Sequence, residues 1–217
     1  MSQELGKIEK PSVEEFRGAR KLFFVPLIFS PRDIQGELFE KVFKYWDQVE
    51  SQLTALELKL GAVKRLYHEL VPVGGDEGCK VIEELNSTSY GIVKARVDRG
   101  AELHALEDTD LLTESMDWTK CLAVGLQNQK VFDKVYESYV EAHKKRNEHI
   151  AKMINDTLKE GEAGILLMRE GHQVQFPADI EVFYVSPPEL DEIKRWLRSR
   201  EMEEEKPEAE GPKEPQN

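Results

Sequence analysis

The chain has 217 residues and a mass of 25.0 kDa, with 33% charged and 40% hydrophobic side chains and a mean hydropathy of -0.55. That is enough for one substantial core, and no run approaches the roughly 18–20 apolar residues that cross a bilayer, so a membrane span is excluded. Thirty basic against 42 acidic side chains, a net charge of -12, argue against nucleic-acid binding through phosphate contacts.

The opening Met-Ser-Gln-Glu-Leu-Gly-Lys has no apolar segment of the secretory type. Two cysteines, Cys79 and Cys121, are too few for a disulfide framework or a multi-cysteine zinc site, so a reduced, cytoplasmic setting is expected. Residues 1–14 are expected to be flexible. Residues 204–217 are expected to form a disordered acidic tail, because Glu201 to Asn217 hold seven glutamates, two lysines and three prolines, too little apolar surface to offset ordering. Between them, 15–203 has no linker that would divide it and is expected to be one domain.

Lys21 to Phe29 is aromatic and β-branched and too short for a buried helix, which predicts a first strand with Pro26 near its end. Ser30-Pro31-Arg32-Asp33 supplies cap-type residues, and Ile34, Leu38, Val42, Tyr45, Val49, Leu53, Leu56 and Leu60 mark one face of a long helix stopped at Gly61. A second strand is predicted over Ala62 to Leu70, then short helices from Asp76 to Leu85 and from Ser87 or Ser89 to near Gly100. Ala101 to Leu106 reads as a weaker strand, and Glu107 to Asp110 opens a helix bearing Leu111, Leu112, Met116 and Trp118. The strongest helix spans about 130–159. Strands over Ala163 to Met168 and Ile180 to Val185 follow, with a last helix after Pro187-Pro188. Strands alternating with helices predict a three-layer α/β domain with about five mostly parallel strands and helices on both faces.

Ligands of open parallel sheets gather outside the carboxyl ends of the strands. The second strand ends in Tyr67-His68-Glu69, while Glu107 follows the third and His172 the fourth. On the long helix the stripe Phe132, Tyr136, Tyr139, Ile150, Ile154, Leu158 is expected to face the core, and His143 and Asn147 complete it with Arg146 adjacent. Polar groups in such a stripe must find partners or line a cavity. Arg146 would meet a carboxylate or another anionic ligand, such as a substrate carboxylate or phosphate, or else form an internal salt bridge with Glu69 or Glu107. His172, directly after a glycine, has the chemistry of a base, a metal ligand or an anion donor. No Walker loop, GxGxxG, HExxH or GxSxG motif is present.

Arg146-Asn147-Glu148-His149-Ile150-Ala151 on a helix, an apolar strand and then Gly171-His172 resemble the carboxyl half of the TraB (pheromone-shutdown) family, which groups with ChaN-like and erythromycin-esterase-like proteins. The resemblance covers about residues 130–175. It implies an α/β domain with its site at the strand ends, and some relatives resemble metal-dependent peptidases. The family's first glycine-histidine motif would follow strand one, where Ile28-Phe29-Ser30-Pro31-Arg32 stands here.

Two functions are therefore expected to compete. One is a TraB-like hydrolase with Glu69, Glu107 and His172 as acid/base groups or ligands of a divalent metal, and with Arg146, Asn147 and His143 binding substrate. The other is a non-catalytic domain that binds a small molecule, a peptide or a partner protein, its polar cluster serving as salt bridges. Either leaves room for a homo-oligomer.

Overall fold

The computed structural model describes residue 16, residues 18–29 and residues 36–204. The expectations for 1–14, for the acidic tail beyond 204 and for the helix opening at Ser30 to Ile34 lie outside the described residues.

Five strands, β1 (Arg20–Pro26), β2 (Val63–His68), β3 (Glu102–Leu103), β4 (Ala163–Met168) and β5 (Ile180–Tyr184), form one sheet in the order β3-β2-β4-β1-β5. Every pairing is parallel. Because strand side chains alternate between faces, Phe23, Val25, Ile165, Leu167 and Leu66 enter one core while Leu22, Phe24, Leu166, Met168 and Tyr67 enter the other. All six residues of β4, the middle strand, are buried, which explains its unbroken apolar run. The third strand is shorter than predicted. It lies at the sheet edge and pairs only through Arg65–Glu102 and Leu66–Leu103, after which the chain turns back to donate from Leu106 to the Val71 carbonyl.

The first core takes helices α1 (Glu37–Leu60), α2 (Gly75–Leu85), α3 (Ser87–Val97) and α6 (Pro188–Glu204). In α1 the predicted face is the buried one: Val42, Tyr45, Val49 and Leu53 are enclosed, and so is Trp46 beside them. Asn86, rather than Ser87 or Ser89, caps α3 by accepting from the Ser89 N–H. The second core is covered by α5 (Gln129–Thr157). The preceding helix α4 (Thr109–Ala123), capped by Asp108, packs against α5.

The connections β1 to β2 and β2 to β3 step toward the β3 edge with their helices in the first core. Those from β3 to β4 and from β4 to β5 step toward the β5 edge across the second. Changing direction and face together preserves a single crossover hand, as the strong preference for one hand requires. The last crossover has no helix: a loop after Met168 crosses the sheet face and buries Val174 there, with Phe176 packed against it.

Length accounts for the rest of the architecture. The 29 residues of α5 span about 43 Å at 1.5 Å each, whereas the six residues of β4 reach only about 20 Å. With Leu158 against Gly164 at the amino end of β4, the first half of α5 projects past the carboxyl ends of the strands, carrying α4 with it. The stripe predicted to face the core therefore divides. Ile150, Ile154 and Leu158 are enclosed, but Phe132 and Tyr136 are exposed because no sheet lies beneath them.

Two helical glycines test this packing with opposite signs. A Cβ at Gly78 in α2 would stand 2.5 Å from the Val73 carbonyl oxygen and 2.9 Å from Leu103 Cδ2, while one at Gly91 in α3 meets nothing within 4 Å. Gly78→Ala is expected to destabilise by about 1–3 kcal/mol through overpacking, and Gly91→Ala to stabilise by about 0.5–1 kcal/mol through helix propensity. Urea denaturation of the two variants checks this; shifts of the same sign would contradict the packing.

Candidate functional site

Neighbouring strands β2 and β4 send their chains to opposite faces, the first into α2 and the second over the α5 face. A crevice opens where adjacent exits diverge in this way. Glu69 leaves β2 and Arg169 leaves β4, so they meet at that crevice. The Glu69 carboxylate accepts the Arg169 backbone N–H at 2.8 Å, its Nη2 at 2.8 Å and its Nε at 3.1 and 3.2 Å. It also accepts Arg146 Nη2 from α5 at 3.2 Å. Glu107, which follows β3, accepts Arg146 Nε at 2.9 Å and a second bond from Nη2, and binds the Leu70 N–H at 3.1 Å.

That last bond holds a strained residue. Leu70 has φ 68°, a left-handed conformation uncommon for a side chain other than glycine. The turn it makes places Glu69 beneath the crevice and sends the chain back toward Val71, whose carbonyl receives the N–H groups of Leu106 and Glu107. Backbone and side chains thus link the exits of β2 and β3 twice over.

Of the residues predicted from sequence, Glu69, His143, Arg146, Asn147 and His172 line one cavity of about 500 Å³ with Tyr136, Tyr139, Val140, Arg169, Glu170, Gly171 and Gln173. Glu107 does not line it; its side chain is wholly buried behind Arg146. The buried seam of α5 is Ala142, Arg146, Ile150 and Ile154, so Arg146 occupies the core position itself, and His143 and Asn147 stand one place round, at the cavity wall. Sequence reasoning gave Arg169 no role. Its only signal was its position, first after β4 and opposite the carboxylate leaving β2. Tyr136 and Tyr139, expected in the core stripe, are wall residues.

The electrostatics follow from this wiring. Burial pushes the Glu69 carboxyl up, but the guanidinium and backbone N–H of Arg169, with the charge of Arg146, hold it below its ordinary value. Burial pulls the Arg146 guanidinium down, and Glu107 and Glu69 more than restore it. The Glu69 carboxylate and the Arg146 and Arg169 guanidiniums are therefore each favoured in their charged forms. His172 is pulled below its ordinary value by burial, with the charge of Glu69 opposing. Its ring packs 4.9 Å from Phe24 and 5.7 Å from Phe176, and Nδ1 accepts the Val174 N–H at 3.3 Å. A neutral His172 consequently carries its proton on Nε2 and is a donor. His143 meets Ser115 Oγ at 3.2 Å and is pulled down by burial and by Arg146 and Arg169.

Glu69, Glu107 and His172 do not come together as a metal-ligand trio. Among the described residues no three His, Cys, Asp or Glu side chains gather in that way, and the lone pairs of both carboxylates are already engaged by the arginines. Behind the cavity, His68 is fully enclosed. It donates from Nδ1 to the Glu69 carbonyl at 2.7 Å and faces Ser89 Oγ at 3.2 Å, and burial lowers its pKa to about 4.

Arg146→Ala is expected to cost about 3–5 kcal/mol, because it strands Glu107 in a site without water. Lys152→Ala, on the exposed side of the same helix, should leave the melting midpoint unchanged; equal midpoints for the two variants would contradict the burial of Arg146. His68 imposes a separate acid limit. Its folded pKa lies below the ordinary 6.5, so its contribution is fully present above pH 6.5 and is lost as pH falls toward about 4. The loss is on the order of 3 kcal/mol, and the slope in that window should be shallower in His68→Gln. A pH series of urea midpoints tests it; identical slopes would remove His68 as the cause.

No family model, no curated protein and no solved structure matches this chain. The chemistry of the cavity rests on its own side chains.

Proposed function

We propose that the cavity binds a small molecule or peptide through a carboxylate, without catalysing a reaction. The observation that carries this reading is the state of Arg169. One edge of its guanidinium is fixed on the buried Glu69 through Nε and Nη2, while the side chain remains 55% exposed at the cavity. An arginine oriented from behind by a buried carboxylate is a preorganised fork for an anion, since the ordering cost is met before the ligand arrives. Donors from His172, His143 and Asn147 surround the same space. A general base is less well supplied: Glu69 is held below its ordinary pKa, and His172 uses Nδ1 as an acceptor within its own loop.

The TraB-like hydrolase is the second reading. It is favoured by one observation, that four of the residues carrying the resemblance, Arg146, Asn147, Gly171 and His172, line a single cavity. Turnover of p-nitrophenyl esters or peptides, dependent on added manganese or zinc and lost in His172→Ala, would establish it in place of the first.

For the binding reading, calorimetric titration with a panel of N-acetyl amino acids against their amides is decisive. The acids should bind about tenfold or more tightly than the amides, and Arg169→Lys, which keeps the charge and loses the fork, should erase most of that difference. A bound carboxylate favours protonated imidazole, so binding raises the pKa values of His143 and His172. Affinity should then be greatest below their free values, which burial holds under the ordinary 6.5, and decline as pH rises through and above them. Equal affinities for acids and amides would overturn the proposal.

A further inference from the structure

From the cavity wall outward, α5 carries a row of rings. Phe132 and Tyr136 stack with centroids 5.9 Å apart and planes 10° from parallel. Tyr136 and Tyr139 follow at 6.2 Å, and Tyr139 and His143 at 4.2 Å. Most of the row belongs to the cavity: Tyr136, Tyr139 and His143, with Val140, form part of its wall, and Phe132 extends the row beyond it. Phe132 is 38% and Tyr136 50% exposed, so the stack is an open apolar strip leading down to Arg169. From Phe132 to His143 the helix rises about 16 Å, the length of about five residues of extended chain.

The polar lining has a complementary feature. The side-chain amides of Asn147 and Gln173 line the cavity and have no hydrogen-bond partner among the described residues. A carboxamide both donates and accepts, as a main-chain peptide group does, so it pairs with a peptide edge in either sense. A compact acid would be held by Arg169 and the donors beside it. It would leave Gln173 and the ring strip uncovered.

Resting on the carboxylate-binding reading, we infer that the ligand is the carboxyl terminus of an extended polypeptide. Its terminal carboxylate lies on Arg169, its last peptide groups lie between Asn147 and Gln173, and apolar or aromatic side chains upstream lie along the Phe132–Tyr136–Tyr139 strip. Aromatic side chains offset-stacked on such a strip add affinity beyond that of the carboxylate.

The test uses the full chain and three probes: N-acetyl-Leu-Phe as the free acid, a fluorescein-labelled Gly-Ser-Ala-Phe-Ala-Leu-Phe as the free acid, and the same heptapeptide with its carboxyl group amidated. By fluorescence anisotropy and competition, the free heptapeptide should bind about tenfold more tightly than the short acid, and the amidated form about tenfold more weakly than its acid. Phe132→Ala should abolish most of the gain from length while leaving the short acid within twofold of its original affinity. If the short acid binds in an Arg169-dependent manner but the heptapeptide binds no more tightly, the polypeptide inference is overturned and the carboxylate reading stands. The same follows if Phe132→Ala leaves the heptapeptide unchanged. If the free and amidated heptapeptides bind alike and the short acid shows no dependence on Arg169, both readings fail.

Discussion

The Glu69 carboxylate ties together three segments that are far apart in the chain: the end of β2, the end of β4 and the middle of α5. Buried as it is, it would cost several kcal/mol to keep ionised alone, and the two arginines that meet it remove that cost only while all three segments hold their places. Glu107 does the same for the exit of β3 and for the left-handed turn at Leu70. The cluster is balanced in charge, with two acids and two bases, and each guanidinium is held on one edge by a carboxylate that cannot reach water. The shape of the cavity and the orientation of its donors follow from that balance.

Topology decides why the network stands where it does. A middle strand whose exit leaves on one face, beside a neighbour whose exit leaves on the other, opens the carboxyl edge of the sheet between them. The helixless crossover from β4 to β5 lets residues 169–173 stay at that edge rather than enter a helix. Lys194 of α6 bridges to Glu170 in the same stretch at 2.6 Å, fastening it from the side of the first core. The wall facing it is the overhanging half of α5.

Much of this was legible from residue pattern. The runs 163–168 and 180–184 are strands because they are short, apolar and bounded by glycine or proline, and the face of α1 that recurs every three or four residues is the face that is buried. The pairing of Arg146 with Glu69 and Glu107 could be anticipated because a guanidinium in a core stripe has few other partners. The aromatic half of the α5 stripe misled for a physical reason. Helical periodicity reports which residues share a side, but not how far the sheet beneath that side extends. Arg169 escaped notice because a charged residue just after a strand is common, and only the strand order shows that it faces Glu69. The short β3 reflects its edge position, where one partner strand supports only two residues of ladder.

The overhang of α5 has a consequence for motion. Its carboxyl-terminal half shares the second core, with Ile150 and Ile154 fully enclosed, and opens only when the domain itself opens. Its amino-terminal half leans on α4, in which Ser115 is the buried residue, and has little apolar burial to resist fraying. One continuous helix thus passes from a rigid regime to a compliant one, with Arg146 near the change. A guest seated against the rings would stiffen the loose end, and the helix would carry that stiffening directly into the ion cluster, without a hinge in between.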